Sequence, residues 1–260
     1  EANKGAYSYA WMIIFAVIAA IMVLIGLYHI RMLPSNQIPS TTKKTTSEVG
    51  RELVAVIANF FTKKHIFYYI CFIILYRLAE GFIMKIAPLF LRASREVGGL
   101  GLSLKEIGTL NGVFGSAAFV LGSLLAGIYV SKFGLKRTLF TLCCIFNLPF
   151  VAYTFLAVTQ PTNVYLIGTC ITMEYFGYGF GFVGLTLFMM QQIAPGKHQM
   201  SHYAFASGIM NLGVMLPGMV SGYFSDLLGY RNFFIYVLIA TIPAFLITYF
   251  IPFTYDDSKK

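Results

Sequence analysis

The sequence has 260 residues, of which 58% are hydrophobic and 11% are charged, and its formal net charge is +9. Soluble domains carry about a quarter of their residues as charged side chains, so these proportions exclude an ordinary soluble domain and indicate a chain surrounded by lipid. The sequence contains no zinc-type cysteine spacing and no Walker, HExxH or partnered GxSxG motif, so it predicts no metal, no cofactor and no enzymatic activity.

Seven apolar stretches reach the roughly 20 residues that a helix needs to cross a bilayer core about 30 Å thick. The predicted spans are Tyr7–Met32, Ile66–Leu91, Leu104–Tyr129, Thr138–Val158, Val164–Met190, Tyr203–Leu228 and Phe233–Phe253. The first span lacks the basic leader and cleavage site of a signal peptide. Because residue 1 is Glu instead of Met, we expect the chain to be the later part of a longer protein.

A long loop follows the first span. It opens with a Pro/Ser/Thr/Lys-rich linker and continues as EVGRELVAVIANFF, in which Val49, Leu53, Val56 and Phe60 recur at helical spacing. This pattern predicts either an amphipathic helix on the inner membrane face or an extension of the next span. We therefore expect residues 1–32 to be the last helix of a missing N-terminal half, 33–65 a cytoplasmic linker, and 66–260 a six-helix bundle.

The basic residues predict the orientation of the chain. Twelve of the nineteen Lys and Arg residues lie in loops on one side of the predicted membrane, and five lie on the other. The richer side is usually cytoplasmic, so we expect a multi-pass protein with a cytoplasmic C-terminus. The net positive charge then reflects membrane topology and does not indicate a nucleic-acid partner.

Charged side chains interrupt two of the spans. The stretch LYRLAEGFIMK places Arg77 and Glu80 three residues apart near the middle of one span, with Lys85 nearer its outer end, and Glu174 lies mid-span in TMEYFGYGFGF. A charge at the bilayer centre costs about 2.5–3.5 kcal/mol on insertion scales and usually faces a bundle interior or a wet cavity. These residues are therefore candidate transport residues or a static ion pair, and Lys85 lines a site or snorkels to the surface.

The same residues suggest proton coupling. Burial favours the neutral form of a carboxyl group and a nearby Arg favours the charged form, so a carboxyl subject to both can bind and release a proton. Our hypothesis is that Glu80 or Glu174 carries the coupling proton and that Arg77 balances it.

Uncharged polar residues within spans are weaker candidates. Asn111 and Asn211 are predicted either to form hydrogen bonds between helices or to contact a solute. Tyr175 and Tyr178 are predicted either to stack on a sugar ring or to pack within the bundle. His202, beside a predicted cytoplasmic loop, is expected to be solvated.

Two segments form a weak internal repeat. GIYVSKFGLKR at 127–137 aligns with GYFSDLLGYRN at 222–232, so that Gly134 falls on Gly229 and Ser131 on Asp226. By the predicted topology the two copies face opposite sides of the membrane. Inverted repeats of three helices are typical of secondary transporters.

The first copy also resembles a known motif. Six spans after a long basic loop resemble the C-terminal half of a major facilitator superfamily carrier, and GIYVSKFGLKR resembles the cytoplasmic gating motif of that superfamily. The resemblance implies an all-α membrane fold: an inverted three-plus-three bundle preceded by one extra transmembrane helix. The implied gating residues are Gly127, Lys132, Gly134, Lys136 and Arg137, with Asp226 in the second copy. Ser131 stands where the motif has Asp, so the sequence departs from the motif at the residue that makes its charge-dependent contact.

Several longer stretches are more specific. LYRLAEGF, EYFGYGFGF and HYAFASGIMNLGVMLPGMV resemble the peptide–acetyl-coenzyme A transporter family, and within it AmpG-type muropeptide permeases of Bacteroides-like bacteria. The resemblance implies proton-coupled import of anhydromuropeptides, which are sugar–peptide fragments of the cell wall, across the bacterial inner membrane. It places Arg77, Glu80 and Glu174 on the two spans that line the central cavity, where Arg77 and Lys85 would bind a solute carboxylate. The alternative is a carrier for another oligosaccharide, peptide or acyl-coenzyme A type solute, because a fold does not fix a substrate.

Overall fold

The computed structural model of the chain describes residues 7–32 and 46–255. The predicted Pro/Ser/Thr/Lys-rich linker at 33–45 and the ends of the chain, residues 1–6 and 256–260, lie outside the described residues. Two compact units make up the chain, residues 1–49 and 50–260. The first unit carries the helix α1, Tyr7–Met32, whose 26 residues match the predicted first span. At 1.5 Å per residue it is about 39 Å long, enough to cross a bilayer.

The second unit is a bundle of helices. In chain order the helices are α2 (Thr46–Phe61, which begins in the first unit), α3 (Ile66–Tyr76), α4 (Leu78–Arg92), α5 (Leu104–Thr109), α6 (Ser116–Phe133), α7 (Leu135–Asn147), α8 (Phe150–Thr159), α9 (Val164–Phe188), α10 (Gln199–Ala240) and α11 (Ile242–Tyr249). Short π-helical segments follow α5 at Leu110–Gly115 and α9 at Met189–Ile193. This arrangement agrees with the predicted all-α fold.

Some predicted spans contain a break, and two consecutive spans are joined by a sharp turn. The first span of the bundle divides at Arg77 into α3 and α4. The span that contains the sequence NLP divides at Leu148 and Pro149, because Pro149 has no N–H to continue the hydrogen-bond ladder. Within α10 the chain turns at Gly229, whose φ of 70° and ψ of 160° are not helical, so this element contains the end of one span and the start of the next.

The helix ends follow local chemistry. Ser103 caps α5 by accepting a hydrogen bond from the Glu106 backbone N–H, and the Glu106 side chain accepts one from the Ser103 backbone N–H at 2.8 Å. The two hydrogen bonds form a capping box, in which a Ser and a Glu three residues later satisfy two backbone N–H groups at the start of the helix. The last helix ends at Tyr249, so its predicted extension to Phe253 is wrong. Pro252 disfavours helical geometry at Ile251, which explains the earlier end.

The repeat-related glycines have the same backbone conformation. Gly134 has φ 76° and ψ 150°, and Gly229 has φ 70° and ψ 160°. This combination of angles is essentially restricted to glycine. The two glycines lie at opposite ends of the bundle, since Gly134 follows the second crossing of the bundle and Gly229 follows the fifth. The geometry therefore supports the inverted repeat that the sequence alignment suggests.

The core of the bundle consists of two apolar clusters. One contains Phe72, Tyr76 and Phe188, and the other contains Phe82 and Tyr153 among their buried members. Within the first crossing of the bundle, the buried apolar residues of α3 belong to the first cluster and those of α4 to the second, so the two clusters meet at the break between these helices. Between the clusters lies a layer of polar side chains, so this layer occupies the middle of the bundle.

Glycines bring α9 close to the helix beside it. A Cβ atom at Gly179 would collide with the backbone of Phe119, and one at Gly122 would collide with the backbone carbonyl of Phe176. The absence of side chains at these two positions lets α6 and α9 pack backbone to backbone, which fixes the position of α9 at mid-height.

Five stretches in the described residues are long and apolar enough to cross a membrane. They are Ser8–Met32, Ile66–Arg92, Leu104–Phe133, Leu135–Thr159 and Gln199–Tyr249. The last has 51 residues and contains the two crossings that meet at Gly229. The 25-residue helix α9 is not among them, because glycines, tyrosines and Glu174 lower its mean hydropathy.

Candidate functional site

The polar layer at mid-bundle begins at the break between α3 and α4. Arg77 occupies the break, and Glu80 lies in the first turn of α4. The Arg77 guanidinium donates two hydrogen bonds to the Glu80 carboxylate, from Nε to Oε2 at 2.6 Å and from Nη2 to Oε1 at 2.5 Å. Arg77 is only 4% exposed and Glu80 only 5%. The spacing of three residues thus produces the bidentate ion pair that the sequence allows.

Aromatic side chains of α9 complete the surroundings of this ion pair. The Arg77 guanidinium lies 5.5 Å from the centre of the Phe182 ring, in the range of a cation–π contact. The Tyr178 side chain interacts with both Arg77 and Glu80. The Tyr76 hydroxyl donates a hydrogen bond to the Gly181 carbonyl at 2.9 Å, which ties the end of α3 to the same region of α9. Arg77 is therefore held on several sides.

A cavity of about 130 Å³ adjoins the ion pair. Five of the candidate residues predicted from the sequence line this cavity: Glu80, Asn111, Glu174, Tyr175 and Tyr178. They come from three spans, because Glu80 lies on α4, Asn111 lies in the π-helical segment after α5, and the others lie on α9. The volume is small for a sugar–peptide ligand, since drug-sized ligand sites are about 300–1,000 Å³.

Glu174 differs from Glu80 in its partners. It is partly buried on α9, and within the described part of the chain it makes no ion pair and no hydrogen bond. The carboxylate of Glu80 lines the same cavity and repels that of Glu174. Glu80 already has a cation in Arg77. Because Glu174 has no such cation among these residues, its negative charge can be neutralised there only by a proton or by a bound cation.

Asn111 adds an unsatisfied acceptor to the cavity. Its side-chain oxygen is buried and has no hydrogen-bond partner among the described residues. The segment that carries it, Leu110–Gly115, is π-helical, and such bulges often occur at functional sites. An unpaired buried acceptor is costly, so a donor from a protonated carboxyl, a water molecule or a solute would stabilise this position.

The structure does not bring the remaining candidates into this cavity. Arg77 faces Glu80 and is not among the lining residues. Lys85 is exposed and its aliphatic stem passes close to Gly218 of α10, and Asn211 is also exposed. Their predicted contacts with a solute stay predictions.

The gating-motif residues lie at the two ends of the bundle. Lys132, Lys136 and Arg137 are exposed at the turn between α6 and α7. The Ser131 hydroxyl donates to the Ile128 carbonyl of its own helix at 2.8 Å. Asp226 is exposed near the Gly229 turn at the opposite end.

Sequence reasoning missed a group of contacts at the end of the bundle where α3 begins. The Lys63 amine donates hydrogen bonds to the backbone carbonyls of Ile193 and Pro195, at 2.5 and 2.7 Å. Burial lowers the pKa of this amine. Cations at the end of a helix satisfy its last carbonyls, so Lys63 ties the turn before α3 to the end of the π-helical segment after α9. A run of two lysines in a loop carries no signal for such a contact.

Two further residues at this end were also misjudged or unnoticed. His202 is 1% exposed, so the prediction that it is solvated is wrong; its Nε2 lies 3.3 Å from the Val56 carbonyl oxygen because α2 packs over it. The Gln192 side chain donates to the Tyr255 carbonyl at 2.7 Å and accepts hydrogen bonds from the backbone N–H groups of Thr254 and Tyr255.

Comparison with known proteins agrees with this architecture. The profile of the Major Facilitator Superfamily matches residues 5–195. The chain is 23% identical over 209 residues to the "Anhydromuropeptide permease" of Escherichia coli strain K12, covering 80% of this chain and 41% of that protein. It is 25% identical over 238 residues to "Putative transporter AmpG 1" of Rickettsia bellii, covering 90% of this chain and 56% of the relative. The chain thus spans about half the length of the curated relatives it matches.

Proposed function

Since the chain belongs to the Major Facilitator Superfamily, we propose that it works within a secondary transporter that imports anhydromuropeptides across the bacterial inner membrane together with protons. The chain is an all-α membrane protein of a transporter family, and the two relatives described above are named as a permease and a putative transporter. These names support a solute as the partner and favour transport over enzymatic chemistry. The substrate comes from the name of the Escherichia coli relative, and the residues that bind it are part of the proposal.

The single observation that carries proton coupling is the unequal environment of two carboxylates in one cavity. Glu80 is bonded to Arg77 through both carboxylate oxygens. Glu174 faces the same cavity without a cation among the described residues. A buried ion pair holds its charges fixed, whereas a partly buried carboxylate without a cation favours its neutral form. We therefore assign the coupling proton to Glu174 and a positioning role to Arg77 and Glu80.

In this arrangement Tyr175, Tyr178 and Asn111 form the polar wall of the cavity. The unpaired oxygen of Asn111 supplies an acceptor for the hydroxyl of a protonated Glu174 or for a donor on the solute. The cavity admits protons and water more readily than a sugar–peptide, given its volume of about 130 Å³. A solute would therefore require the cavity to widen or to be continuous with a larger space.

The test is an uptake assay with radiolabelled anhydromuropeptide, using the complete open reading frame in cells that lack their own permease. We expect the parent protein to accumulate label up an imposed proton gradient. Glu174→Gln should abolish accumulation while retaining equilibration of label across the membrane, because exchange of the neutral form does not need a proton.

The matched control is Glu96→Gln, which removes a carboxylate that is exposed outside the cavity. Accumulation by the Glu174→Gln variant at the parent level would overturn the assignment of the proton. Failure of the parent to take up this label, with uptake of another oligosaccharide or peptide, would instead overturn the substrate.

A further inference from the structure

We propose that α2 lies in the headgroup boundary of the bilayer, with one edge bound to the bundle and the adjacent apolar ridge inserted among the lipid chains. The inference concerns only residues 50–61 and the turn that follows, all within the second unit. It is independent of which solute or ion the protein carries.

The first step is that α2 is a separate helix. It ends at Phe61, and α3 begins at Ile66 after a turn in which His65 adopts a left-handed conformation with φ 61°. The structure therefore differs from the alternative prediction, in which residues of α2 would simply extend the next span. Because only four residues separate the two helices, the last turn of α2 lies at the level where the apolar span of α3 begins.

The second step is that one edge of α2 binds the bundle. Val56 is 5% exposed and Phe60 is 1% exposed. The Phe60 ring packs against His202 and Phe205 of α10, with ring centres 5.7 Å apart in both contacts. The hydrogen bonds of Lys63 to Ile193 and Pro195 fix the turn after the helix. These contacts fix which side of α2 faces outward.

The third step is the chemistry of the outward side. Leu53, Val54, Ile57 and Phe61 are all exposed. At about 100° per residue, these four side chains cover an arc of about 100° that begins next to the buried edge. The polar residues of the helix occupy the opposite side. An apolar arc of this width on an otherwise polar helix is typical of helices that lie in a membrane interface.

The fourth step identifies the partner. The Phe61 ring lies 6.3 Å from the ring of Phe67, which is 70% exposed in the first turns of α3. The ridge is therefore continuous with the outer surface of a helix that is long and apolar enough to cross a membrane. Lys64 is exposed at the junction, where a basic side chain can reach the headgroups. A bilayer surrounds any such span. We therefore identify the bilayer as the partner that covers the exposed apolar side chains of α2.

The experiment uses the full chain in vesicles. The sequence has one tryptophan, so Trp11→Phe provides a background without tryptophan fluorescence. Into it we would introduce Phe61→Trp on the ridge, and Asn59→Trp on the polar side as the control. Both proteins are reconstituted into phosphatidylcholine vesicles whose acyl chains carry bromine, a collisional quencher, either near the headgroup or near the methyl end.

We expect bromine near the headgroup to reduce the fluorescence of the Phe61→Trp protein about twofold or more, with less effect from bromine near the methyl end. The Asn59→Trp protein should change little with either lipid. Equal quenching of the two proteins would overturn the proposal. Unquenched, blue-shifted emission from Phe61→Trp would overturn it too, because another protein segment would then cover the ridge. Ile57→Trp against Ala58→Trp repeats the test if either first variant fails to fold.

Discussion

The ion pair of Arg77 and Glu80 makes a sharp prediction about stability. Replacing Glu80 by Leu leaves the guanidinium of Arg77 buried against the Phe182 ring, with its main acceptor gone. Removal of one partner from a buried ion pair costs about 3–5 kcal/mol, because the remaining charge is uncompensated. We expect the free energy of unfolding to fall by about that amount, which lowers the ratio of folded to unfolded protein by about two to three and a half powers of ten.

The second half of this prediction concerns the double variant Arg77→Met with Glu80→Leu. Replacing both members of a buried ion pair by apolar residues of similar volume is often neutral or stabilising by about 1–4 kcal/mol. We therefore expect the double variant to recover most or all of the stability that Glu80→Leu loses. Glu174→Leu serves as the control, since it removes a carboxylate without stranding a cation, and it should not destabilise the fold.

The assay is equilibrium unfolding of the purified chain in mixed micelles with an increasing fraction of denaturing detergent, followed by circular dichroism. The three variants and the parent protein are compared at one lipid-to-detergent ratio. If the double variant is as unstable as Glu80→Leu alone, the loss does not come from a stranded guanidinium. The assignment of Glu80 as a fixed counter-ion, and with it the choice of Glu174 for the proton, would then be wrong.

Three further outcomes follow from other parts of the bundle. Lys63→Met should lower the free energy of unfolding by about 1–3 kcal/mol, because two partly buried carbonyls lose their donor. Lys64→Met should change it little, and the same micelle titration measures both. Gly134→Ala should cost about 1–3 kcal/mol, since its backbone angles are open essentially only to glycine, while Gly127→Ala, which meets open space, should leave the melting midpoint unchanged or slightly raised. Glu174→Gln should make the initial rate of solute entry independent of external pH, and a rate that still rises on acidification would contradict its assigned role.

Local features of the bundle were predictable because the sequence encodes them over a few residues. The capping box at Ser103 and Glu106, and the pairing of Arg77 with Glu80, need only helical spacing. The positions of most spans follow from length and apolarity in the same way. The end of the last helix was misplaced because a single residue, Pro252, outweighed the apolar run around it.

Features that depend on which helices become neighbours were not accessible in this way. Nothing in the sequence around Asn111 indicates that it shares a cavity with Glu174, since the two are joined only by the packing of three spans. His202 was misjudged for the same reason: its loop position suggests water, but α2 folds over it. The helix break at Arg77 was not predictable either, because no Pro or Gly stands at that position.

Proton binding can drive transport only if the two states of the carrier differ in their affinity for the proton. In the arrangement described here Glu174 has no cation, so this state favours a neutral carboxyl. A state that releases the proton must offer Glu174 a cation or water. Among the described residues, Arg77 is the buried cation closest to this cavity, and it is bonded to Glu80 on the adjacent helix. Because Arg77 stays bonded to Glu80, the route left for release is water: movement of α9 relative to α4 would open the cavity around Glu174 to water, and the break between α3 and α4 lies at the point where such a movement would act.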